Sequence, residues 1–81
     1  MIDLKDAYKI AEKAFEENED YTGIAEVRET NANWIFRGKL KQATYGTFDI
    51  NVPKTGDEPY LENPYDESYS DVWANAKRVS I

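Results

Sequence analysis

The chain has 81 residues and a formal charge of -6 from 16 acids and 10 bases, which is the size of one small domain and excludes a multidomain enzyme. Its hydrophobic share of 41% and aromatic share of 14% are too high for a disordered chain, so one core is expected. The absence of cysteine and histidine removes thiol nucleophiles, His-based acid–base pairs, disulfides and conventional zinc or copper sites, while the negative charge opposes nucleic-acid and anionic lipid surfaces and attracts a basic partner.

The N-terminal residues run straight into an amphipathic pattern with no secretory h-region, and no run approaches the ~20 apolar residues of a membrane span. With no cysteine to oxidise, the expectation is a soluble cytoplasmic protein of a bacterium or similar cell.

Residues 3–18 read as a helix, because Leu4, Ala7, Tyr8, Ala11, Ala14 and Phe15 recur at steps of three and four while Lys5, Asp6, Lys9, Glu12, Lys13 and Glu16 form the polar face. Asp3 is its predicted N-cap. The helix runs into Glu16-Glu17-Asn18-Glu19-Asp20, where acids crowd the negative end of the dipole.

Antiparallel strands are expected across 24–61. Ile24 to Thr30 and Trp34 to Leu40 are rich in β-branched and aromatic residues, and Asn31-Ala32-Asn33 between them suits a hairpin turn. In the second strand Trp34, Phe36, Gly38 and Leu40 alternate with Ile35, Arg37 and Lys39, so its apolar face should meet the helix. Residues 41–46 read as a loop. Thr47 to Val52 then alternates, with Phe48, Ile50 and Val52 on one side and Asp49 and Asn51 on the other. Pro53-Lys54-Thr55-Gly56-Asp57 is turn chemistry, and the sheet continues weakly through Pro59-Tyr60-Leu61.

Residues 62–81 form an acidic, tyrosine-rich segment followed by a C-terminal element. Between Asp57 and Asp71 there are six acids, no base, two prolines and three tyrosines, which favours loop. Beyond it, either Ser70-Asp71 caps a short helix with Val72, Trp73 and Ala76 on one face, or Val79 and Ile81 make a last strand. The whole, residues 1–81, is a single α+β domain: an N-terminal helix on a three- to four-stranded antiparallel sheet in two layers, with Phe15, Trp34, Phe36 and Phe48 carrying most of the core.

Tested for chemistry, the acids sit in charge-rich runs that should be solvated, which argues against a carboxylate acid–base pair. Glu16, Glu17, Glu19 and Asp20, or Asp66 and Glu67, offer oxygen ligands without EF-hand spacing. The four glycines are scattered and form no phosphate loop. No catalytic residue, cofactor or metal is expected, and the chain reads as a non-enzyme. The suggestive stretch interleaves aromatics with acids: Tyr60, Glu62, Tyr65, Asp66, Glu67, Tyr69, Asp71 and Trp73 form a candidate protein-binding surface for a basic partner. The bland alternative is that the aromatics cover the open side of the sheet while the acids face water.

The helix with Ala7, Ala11 and Ala14, the Trp34-Ile35-Phe36 strand and the strand from Phe48 into Lys54-Thr55-Gly56 resemble the small YrhB-like bacterial immunity domains. The αβββ order is also similar to PepSY and cystatin-like layouts, although the inhibitory Gln-x-Val-x-Gly of cystatins is absent. The resemblance implies a non-enzymatic protein that binds a toxin or client polypeptide, and it assigns no individual binding residue. The protein is expected to be a monomer or weak homodimer, and two further readings stand beside the first: a structural or self-associating protein, and a carboxylate-based enzyme.

Overall fold

The computed structural model describes residues 1–18, 20–41 and 48–80. The first helix, α1 (Leu4–Glu16), starts where expected: the Asp3 carboxylate accepts a hydrogen bond from the Asp6 amide at 2.9 Å. Ala7, Ala11 and Phe15 form its buried stripe. It ends as the Glu17 and Asn18 amides turn back to the Lys13 and Phe15 carbonyls, and the Asn18 side chain accepts from the Asp20 amide to start the next strand.

Among the described residues five strands follow: β1 (Tyr21–Glu29), β2 (Asn33–Leu40), β3 (Asp49–Pro53), β4 (Tyr60–Glu62) and β5 (Lys77–Val79), with a nine-residue helix α2 (Glu67–Asn75) before the last. They form one antiparallel sheet in the order β4-β3-β2-β1-β5. The β1–β2 turn closes as predicted, with the Thr30 hydroxyl accepting from the Asn33 and Ala32 amides. β1 begins three residues earlier than its hydrophobic pattern suggested, because the Tyr21 ring packs 4.9 Å from Phe15 and 5.0 Å from Phe48, centroid to centroid. Gly38 lies beneath that ring. A Cβ there would collide with Tyr21 and Phe15, so only glycine admits the aromatic cluster.

On the α1 side, Val27, Phe36, Ile50 and Val52 pack against the helix stripe and are at most 2% exposed. Strand alternation sends Arg28, Ile35, Arg37, Asp49 and Asn51 to the opposite face. That face is not open to solvent: α2 lies against it, so the expected two layers become three over part of the sheet, and Asp49 and Asn51 are buried.

The C-terminal alternatives are both realised, a helix and then a strand. The helix cap is not Ser70 or Asp71, as the sequence suggested, but Asp66, which accepts from the Ser68 and Tyr69 amides at 3.0 and 3.3 Å. That earlier start turns Tyr69 and Trp73 inward, four residues apart on one face, and leaves Val72 46% exposed. The 57–71 stretch thus holds the weak strand expected near Pro59–Leu61, as β4, and, where loop was expected, the first turn of α2. The predicted loop at 42–46, the Thr47 strand start, Glu19 and Ile81 fall outside the described residues.

Candidate protein-binding surface

The eight residues singled out from sequence divide into two groups. Tyr60, Tyr65, Asp66, Glu67 and Asp71 are exposed, with Glu62 half-buried. Tyr69 is buried and Trp73 is half-buried beneath α2. The surface includes one residue the sequence reading missed, Leu61, which is 63% exposed on β4. A single exposed leucine on an uncertain strand carries no signal in the sequence alone.

β4 positions Tyr60 opposite Asn51 and Glu62 opposite Asp49. The Tyr60 hydroxyl accepts from the Asn33 side-chain amide at 2.8 Å, which fixes the ring while leaving 43% of the residue exposed. Asn63 opens the turn into α2: its side chain accepts from the Tyr65 amide at 2.9 Å and its carbonyl from the Asp66 amide at 3.0 Å. Tyr65 stands out on that turn, 70% exposed. Glu67 lies in the first turn of α2, where the dipole favours a negative charge. A shallow groove of about 690 Å³ continues past Asp71 and Val72 toward the β1–β2 turn.

Beneath α2 lies a network the sequence did not disclose. Asp49 is fully buried, and Arg37 meets it with two parallel hydrogen bonds, Nε to Oδ1 at 2.8 Å and Nη2 to Oδ2 at 2.9 Å. The Tyr69 hydroxyl donates to the same carboxylate at 2.7 Å and accepts from the Asn51 amide at 3.4 Å. Burial and the bond to Asp49 both push the Tyr69 phenol well above its ordinary pKa. Burial opposes the Arg37 charge, yet the hydrogen bonds and charge of Asp49 outweigh it and hold its pKa raised.

Two arginines flank the Trp73 ring. The Arg37 guanidinium carbon lies 3.7 Å from the ring centroid and that of Arg28 lies 4.4 Å from it. Arg28 also donates to the Trp73 carbonyl at 2.8 Å and to Glu26 at 2.6 Å. The basic residues of the central strands thus receive the aromatics of the acidic segment within the same molecule.

Among the described residues no group of three or more Asp or Glu side chains is arranged to hold a metal, and no helix is long and apolar enough to cross a membrane. Known protein families, curated proteins and solved structures give no match to this chain.

Proposed function

We propose that this chain is a non-enzymatic, cytoplasmic interaction domain that binds a basic polypeptide through the outward part of the acidic segment: Tyr60, Leu61, Glu62, Tyr65, Glu67 and Asp71. The observation that carries this reading is the coincidence of six acids and no base over 57–71 with two exposed tyrosines and an exposed leucine. Aromatic anchors in an acidic rim suit a cationic surface, and the resemblance to small immunity domains makes a basic toxin the leading partner class. Against carboxylate catalysis, the carboxylate of Asp49 takes three hydrogen bonds from Arg37 and Tyr69 and has no exposed surface.

The experiment is calorimetric titration with the basic partner, or with a cationic peptide in its place, at low and high salt. Asp66 is unsuitable for mutation here because it caps α2, so the variants are Tyr65→Ala and the double change Glu67→Lys with Asp71→Lys. Reversing two rim charges should weaken binding by about tenfold at low salt, since exposed pairs contribute about 0.2–1 kcal/mol each and reversal adds repulsion. Binding that ignores both salt and these changes would remove the proposal.

A further inference from the structure

Arg28 and Arg37 present to Trp73 the same chemical group that a basic partner would bring. How firmly that contact is held can be read from what would be left behind if it broke. Arg37 would keep both of its bonds to Asp49, and Arg28 would keep Glu26. Asp49 would lose one donor and retain two. Lifting α2 therefore leaves no buried charge without a partner, which is the usual obstacle to opening a polar interface.

The buried cluster under α1 includes no residue of α2, and from β5 only the half-buried Val79 packs against it, so lifting both costs that contact and the burial of Tyr69 but leaves the rest of the cluster in place. β5, the strand that follows α2, is only three residues long; it places Arg78 directly opposite Arg28, a like-charged pair offset by Glu26, which lies 2.6 Å from Arg28 and 4.0 Å from Arg78, and by Lys77 opposite Glu29. The turn from β4 into α2 is largely exposed, so the hinge is not packed into the fold.

We propose that α2 and β5 form an autoinhibitory strap, in which Arg28 and Arg37 occupy the Trp73 ring in cis and the guanidinium groups of a partner replace them when the strap lifts. This inference rests on reading the acidic surface as a binder of basic polypeptides, and it names the partner as arginine-rich. A planar guanidinium stacks on an indole and pairs with a carboxylate in fork geometry, whereas an ammonium does neither as well. Glu67 and Asp71 travel with α2 and supply the carboxylates beside the freed ring. The closed strap lowers the apparent affinity by the fraction of molecules held shut.

The test uses the full chain and nona-arginine and nona-lysine as probes, followed by NMR of the two tryptophan indole N–H groups. Nona-arginine should shift the Trp73 signal, while the Trp34 signal, held on the Ile2 carbonyl, stays in place. Nona-lysine should bind without moving Trp73. Arg28→Gln should tighten nona-arginine binding about fivefold relative to Lys39→Gln, which removes the same charge from an exposed residue that is not one of the two stacked on Trp73. Equal affinities for the two variants, or an unmoved Trp73 signal with nona-arginine bound, would overturn the strap. If nona-arginine does not bind at all, the acidic-surface reading falls, and the strap with it.

Discussion

Asp49 carries a charge with no exposed surface because Arg37 and Tyr69 bring three hydrogen bonds to its two oxygens. Removing the Tyr69 hydroxyl deletes a donor to a buried carboxylate, and Tyr69→Phe should lower stability at neutral pH by about 2 kcal/mol in urea unfolding. The same group sets a pH dependence. The folded domain binds the phenolic proton more tightly than the unfolded chain, so the contribution of Tyr69 is complete below about pH 10 and is lost as pH rises through the folded pKa. The gap between the native protein and Tyr69→Phe should therefore stay constant from neutral pH to about 10 and narrow above it; a gap that widened there would contradict the assignment. The sequence showed Asp49 and Asn51 alternating with Ile50 and Val52, and the alternation is correct. Their burial was not readable, because a period of two distinguishes faces without saying whether the polar one meets water or another layer. The signal that could have found it is the pair Tyr69 and Trp73, spaced for one helix face, together with two arginines on neighbouring strands.

α1 was legible except at its C-terminal end, which falls at Glu16 instead of Asn18, because its stripe repeats over more than three turns and its N-cap is local. α2 was not, since acids and prolines around Tyr65 read as loop while the stabilising contacts of the helix come from the distant residues Arg28, Arg37 and Asp49. Such a helix depends on its cap. Asp66→Ala should cost about 1 kcal/mol and show first as loss of order in α2 by amide exchange, with α1 still protected. β4 was half-legible, its pairing anticipated and its exposed Leu61 not. The sheet edges bear on the self-associating alternative. β5 covers only Val27 to Glu29 of β1, and the rest of that edge carries two register shifts, at Tyr21/Gly23 and Ile24/Glu26. Pro59 and Pro64 bracket β4 on the other side. Bulges and prolines are the devices that stop edges from templating further strands. Sedimentation should accordingly find one species at the monomer mass across a hundredfold concentration range, and a concentration-dependent dimer would speak for edge pairing.

Across the whole molecule, the helix α1 and the aromatic cluster of Phe15, Tyr21 and Phe48 secure one side of the sheet, and the other side stores the bases of β1 and β2 under the aromatics of α2. The net charge of -6 is thus unevenly spent: Arg28 and Arg37 are engaged internally, while Glu67 and Asp71 face solvent. The sequence placed the acids correctly in the 57–71 segment. It could not tell which aromatics among them point outward, since that depends on where α2 begins. The most direct measurement is amide shift mapping of the full chain during titration with a basic polypeptide at low salt. The largest changes should fall between Tyr60 and Trp73 and fade as salt is raised. Changes centred on α1 or the β1–β2 turn, or none in the 57–73 segment, would contradict the assignment of this surface.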